Sequence, residues 1–155
     1  MKRLAEAATL LAELPPDLEV TDCTGGLIVP GFVDAHIQYP QTDMIAAYGE
    51  QLLDWLETYA FPTEQRFDGA EHAAEVADFF LDELLRNGTT TALVLGTVHP
   101  ESVEAIFGAA QVRHLRLIAG KVLMDRNCTV DLQDTPDQGY RDSKALIERW
   151  HHPEG

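Results

Sequence analysis

The sequence predicts an α/β fold in which parallel strands alternate with helices. Three observations predict it. Apolar runs of strand length end in Pro, Gly or Asn-Gly punctuation, amphipathic stretches of helical period separate them, and the order that results is βαβαβ with a last helix behind it. A doubly wound sheet and a (β/α)8 barrel both begin this way, and three strands cannot close a barrel.

The first strand follows an apolar lead-in, Leu27-Ile28-Val29, which passes through Pro30-Gly31 into Phe32 and Val33 and ends near His36. A long aromatic-rich connection comes next, with a helix expected over residues 50–59, where Leu52, Leu53, Leu56 and Tyr59 recur at helical spacing, and with Pro62 and Gly69 punctuating its far end. Asp68 is placed to cap a helix over residues 69–86. Ala73, Ala77, Phe80, Leu81 and Leu84 form the buried stripe of that helix and Asn87-Gly88 its stop. A strand follows at 90–96. Pro100 suits the first turn of a helix carrying Val103, Ile106, Phe107 and Ala110, residues 116–124 read as a third strand, and a helix over 142–150 completes the pattern.

Composition narrows the function classes. The chain has 155 residues and a formal net charge of −15, which repels phosphate backbones and anionic lipid; no nucleic-acid or membrane partner is expected. No apolar run approaches the roughly 18 residues that cross a bilayer. Glu6 and Glu13 interrupt the N-terminal stretch, which argues against a secretory signal and for a cytoplasmic chain. Cys23 and Cys128 are far apart with no C-x-x-C spacing, so packing is their expected role.

The end of the first strand is the place to look for chemistry. Parallel α/β sheets hold ligands at the C-terminal ends of their strands. Strict alternation would put Asp34, His36 and Gln38 on one face, with position 38 roughly 7 Å beyond position 36. His36 is then a candidate metal ligand, against the alternative of a hydrogen-bonded core histidine. His99 and His114 flank later strands and read as helix capping or surface. Lys121 interrupts an apolar strand and reads as paired or snorkelling, and His151-His152 as solvated.

The stretch GFVDAH at 31–36 resembles the opening-strand signature of the amidohydrolase superfamily. Further stretches in order are similar to the guanine deaminase family within it: HIQYPQ at 36–41, YGEQLLDWL at 48–56, FPTE at 61–64, LRNGTTTA at 85–92, GTVHP at 96–100 and GKVLMDRN at 120–127. The resemblance implies an incomplete (β/α)8 barrel made of its first three βα units, over residues 27–155. Residues 1–26 would then be the tail of a small N-terminal β-sandwich and a lead-in, with both flanks of the whole protein missing. It implies zinc-dependent hydrolysis of guanine to xanthine and ammonia, by a metal-activated water that attacks the ring carbon bearing the amino group.

In the family, the first-strand pair supplies two metal ligands. His36 matches the first, and Gln38 stands where a second His is expected; a neutral amide oxygen is a weak ligand for zinc. Three accounts of Gln38 stand side by side: a degenerate or misread copy, a working site with altered ligation, or a member that has lost activity. Gln41 lies where the family's purine-contacting Gln is found, and a carboxamide offers a base edge both a donor and an acceptor. Tyr39 and Trp55 are candidates to wall the purine by stacking, with core packing the competing reading for Trp55. The remaining His ligands, the metal-binding Asp, the proton-shuttling Glu and the base-gripping Arg would lie beyond residue 155, so the chain is expected to be inactive alone and, with uncovered strands, to self-associate. The alternatives are hydrolysis of another heterocycle on the same scaffold, or a non-catalytic α/β domain that binds a purine or assembles with a partner.

Overall fold

The computed structural model describes residues 4–49 and 51–151, which fall into two compact units divided after Pro30. Within the first, α1 (Ala7–Glu13) buries none of its residues. A turn follows in which the Asp22 carboxylate accepts from the Thr24 amide at 2.8 Å and the Thr24 hydroxyl at 2.6 Å. Cys23 is exposed, contrary to its expected packing role, because it sits in that turn. The apolar lead-in is not strand: Leu27 is 87% exposed, and Pro30 has no amide to donate to a ladder.

The second unit is built on three parallel strands, β1 (Phe32–Gln38), β2 (Thr89–Leu95) and β3 (Arg116–Gly120), in the spatial order β1-β2-β3. Each strand is laid on the same side of the one before. A (β/α)8 barrel opens with strands laid in sequence in this way, and so does one half of a doubly wound sheet, which reverses direction only at its switch point.

Two helices cover one face of the sheet. α4 (Ala70–Arg86) follows β1 and buries Ala73, Ala77, Phe80, Leu81 and Leu84, the stripe its period predicts, with Val76 beside them. Its N-cap is Gly69; Asp68 makes no cap hydrogen bond and belongs to a single 3-10 turn, Arg66–Asp68. α5 (Pro100–Arg113) starts on proline and ends at His114 in the left-handed conformation, φ 51°. Arg113 clasps the two helices together through Asp78 and Asp82, each at 2.8 Å, and its hydrogen bond holds the Asp82 carboxyl below the usual carboxylate range. Behind the sheet, Tyr39, Phe67, Leu81, Val94 and Ile106 form the centre of the core.

Three element boundaries differ from expectation, each for a local reason. The helix expected to stop before Pro62 continues instead: α2 (Leu52–Trp55) passes through a wide π-helical turn, Leu56–Ala60, into α3 (Phe61–Gln65). The widened turn accommodates the missing amide of Pro62. Residue 50, the expected start of that helix, lies outside the described residues. The regular ladder of β3 ends at Gly120, whose carbonyl accepts from Gly96 N at 3.2 Å, and a further bond from Val122 N to the Thr97 carbonyl at 2.9 Å carries the chain past it. α6 (Pro136–Trp150) begins six residues before position 142, capped by Thr135, whose hydroxyl accepts from Gln138 N at 3.2 Å.

On the sheet face opposite the helices, Val33 in register with Thr91 is 69% exposed, and Leu93 and Ile118, in register with each other, are 37% and 61% exposed. Among the described residues nothing covers that face.

Candidate functional site

The site is built where β1 ends, and a bulge shapes it. Asp34 is in register with Ala92, and three residues later Ile37 is in register with Val94, so β1 carries one extra residue there. The Asp34 carboxylate accepts from the His36 amide at 3.0 Å and stitches the bulge. Strict alternation therefore fails. Asp34 takes the register of buried Ala92, whereas Gln38 takes that of Leu95, and the three side chains do not share a face. His36 and Gln38 remain together, both exposed on either side of Ile37, which packs on the core.

Behind Gln38 the chain turns at once through Tyr39–Met44, a 3-10 segment with Pro40 in its first turn. This turn brings Gln41 back over the strand end. The Gln41 side-chain amide donates to Gln38 Oε1 at 2.6 Å and to Glu64 Oε1 at 3.2 Å. Glu64 is held from behind by α3 and is only 8% exposed. Burial raises its carboxyl above the usual carboxylate range, and the hydrogen bond from Gln41 pulls the other way. Glu64 lies in the FPTE stretch, but only the tertiary structure shows that its carboxylate backs Gln41.

That direction fixes a pH dependence. With the folded-state pKa raised, the native state keeps the proton through a window where the unfolded chain has lost it, so this group's contribution to stability falls as pH rises through that window. Glu64→Gln should remove that slope. The check is the difference in thermal midpoint between variant and wild type from pH 4 to 7, which should grow in the variant's favour towards pH 7.

A cavity of about 710 Å³ opens along the free edge of β1. His36, Gln38, Gln41 and Trp55 line one part of it, and Phe79 and Leu84 of α4 another. Trp55 is half-buried at this wall rather than inside the core. Tyr39 is different, and its expected stacking role is corrected: the ring has no exposed surface. It packs edge-on against Phe67 at 5.3 Å, and its hydroxyl donates to the Ser102 carbonyl. Burial drives its phenol above the ordinary range. Tyr39→Phe is expected to cost about 1 kcal/mol through the unpaired carbonyl, read as a lowered thermal midpoint.

The other singled-out residues take structural places. His99 is the N-cap residue of α5 and His114 its left-handed C-cap. Lys121 is paired with Asp134, both side chains almost wholly buried. His151 is exposed, and residue 152 lies outside the described residues. Cys128 packs beside Phe61, Val98 and Leu132.

A catalytic zinc needs three protein ligands and an open position. Among the described residues no three His, Cys, Asp or Glu side chains gather to hold an ion. His36 offers one imidazole, and the oxygen of Gln38 is already engaged by Gln41. These residues by themselves do not fit a zinc centre.

Consecutive parallel strands, helices on one face and polar residues at the first strand's C-terminal end are the features with which a (β/α)8 barrel and its ligand site begin. Residues 27–153 match the Amidohydrolase family, and the chain belongs to it. More particularly, it is 58% identical over 139 residues to the guanine deaminase of Escherichia coli (strain K12), covering 90% of this chain and 32% of that enzyme. The solved E. coli guanine deaminase superposes with a TM-score of 0.90 at 55% identity, over 97% of this chain and 35% of that one. A guanine deaminase from C. acetobutylicum, solved with guanine bound in its active site, superposes with a TM-score of 0.75 at 28% identity, over 78% of this chain and 29% of that one. The chain thus spans about a third of the length of the relatives it matches.

Proposed function

We propose that this chain is the first-strand and purine-contacting part of a guanine deaminase, which hydrolyses guanine to xanthine and ammonia. The observation that carries the reading is the convergence of His36, Gln41 and Trp55 on one cavity in a chain so similar to E. coli guanine deaminase. Gln41 would meet the polar edge of the base and Trp55 its flat face. The apolar part of the cavity, at Phe79 and Leu84, has the character of a seat for a neighbouring barrel element rather than for a polar heterocycle.

Zinc dependence is proposed of the whole protein, with His36 as one ligand; no step is assigned to the metal here, since this chain's donors do not complete its site. A second reading, a non-catalytic purine-binding domain, draws on the engagement of Gln38 with Gln41. Residues 1–26 as the tail of an N-terminal β-sandwich and lead-in, 27–155 as partial barrel, and a cytoplasmic location, belong to the same proposal.

Two outcomes follow for the chain itself. It should release no ammonia from guanine with zinc added; turnover above a metal-free control would overturn the assignment of essential groups to other parts of the protein. It should also self-associate through its uncovered sheet face and open edges. Elution as a monomer in size-exclusion chromatography would contradict that.

A further inference from the structure

The Gln38–Gln41–Glu64 chain has a chemical direction. A carboxamide has two N–H donors and one carbonyl oxygen, and an ionised carboxylate can only accept. Glu64 Oε1 and Gln38 Oε1 together take both donors of Gln41. The Gln41 oxygen accepts no hydrogen bond among the described residues, and Gln41 lines the cavity, whereas Glu64 stands behind it. Turning the Gln41 amide over would set its oxygen against the ionised Glu64 carboxylate, which cannot donate, whereas Gln38 could follow by turning its own amide, so the direction is imposed by Glu64.

We propose that Glu64 is a positioning residue: with Gln38 as its second anchor it fixes the Gln41 carboxamide so that its carbonyl oxygen faces the cavity and selects a ligand edge rich in N–H donors. This rests on the guanine reading above, in which the ring N–H and exocyclic amino group form such an edge. It also gives Gln38 a role that needs no metal. An imidazole at position 38 would offer Gln41 a different acceptor at a different reach, so position 38 sets orientation as well as ligation.

The test uses the whole chain, labelled with ¹⁵N at glutamine, the Gln41 side-chain amide being identified by its loss in Gln41→Leu. Both of its protons should exchange at least roughly tenfold more slowly than those of exposed Gln51, the effect of one or more retained hydrogen bonds. Glu64→Leu should free the proton held by Glu64, and Glu64→Gln, which keeps an oxygen to accept, should restore its protection. Gln38→Ala, at an exposed position that carries no core packing, should free one proton and leave the other. Equilibrium dialysis then compares guanine with purine, whose six-membered ring has no N–H. Guanine binding should weaken about tenfold in Glu64→Leu, with purine unaffected.

A wild-type Gln41 amide that exchanges like Gln51, or protection that survives both Glu64→Leu and Gln38→Ala, overturns the positioning role. Equal losses for guanine and purine overturn the selection. If the wild-type chain binds neither purine, the selection falls while the guanine reading, whose base-gripping Arg is expected beyond residue 155, stands, and the exchange data still decide the orientation.

Discussion

Gly31→Ala is expected to destabilise the sheet by about 3 kcal/mol, a drop in thermal midpoint on the order of 10 °C for a unit of this size. A Cβ at position 31 would lie 2.0 Å from Thr90 Oγ1, 2.4 Å from its Cγ2 and 2.7 Å from its Cβ. Rotating the threonine cannot relieve the last of these, since its Cβ is fixed to the backbone. The two strands must part where β1 begins, close to the bond from Phe32 N to the Gly88 carbonyl at 2.8 Å. Thr90→Gly in the same chain removes all three atoms and should recover most of the loss. A double mutant no more stable than Gly31→Ala would show that the close approach is not the cause.

The second large effect is expected at the buried ion pair. Lys121 and Asp134 are 1% and 7% exposed at their side chains, so removing one leaves a charge in the interior with no partner. Lys121→Met or Asp134→Leu alone should each cost about 3–5 kcal/mol, whereas the two together should be close to neutral. Denaturant unfolding of the four proteins in the cycle measures this. Single variants that each lose under 1 kcal/mol would mean that water reaches the pair.

How far the sequence could be read depended on whether the deciding interactions were local. α4 and α5 were legible because each signal, the period of 3.6, Asn87-Gly88 after α4 and Pro100 at the start of α5, lies within or beside the helix it marks. The bulge in β1 was not: alternation assumes a regular pleat, and one carboxylate, Asp34, bonding two residues along the chain is enough to break it. Tyr39 sits beside Pro40 in an apparent loop, yet the 3-10 turn folds it inward onto Phe67 and Phe80. The start of α6 was masked by Gly139, a poor helix former that is there because a side chain would meet Leu123 and Asp134 at 2.8 and 3.1 Å.

At the site the same division holds. His36, Gln38, Gln41 and Trp55 are brought to one cavity, as residues from one strand end and the connection after it can be. Glu64 depends on the path of the chain through the π-helical turn, and no local pattern announces that a carboxylate in FPTE will be buried behind Gln41. Gln38 is the residue that the sequence marks as out of place, and the structure gives it a hydrogen-bond partner.

We propose that this chain is part of a guanine deaminase whose first-strand metal pair is weakened at position 38. The most direct test is a chimera in which residues 27–153 replace the matching third of E. coli guanine deaminase, so that the rest of the barrel is supplied. Zinc content and guanine turnover are measured with Gln38 and with Gln38→His. The account predicts less than one zinc per chain and slow turnover with Gln38, both restored by the histidine, because a neutral amide oxygen replaces an imidazole. One tightly held zinc and equal turnover in the two forms would contradict it.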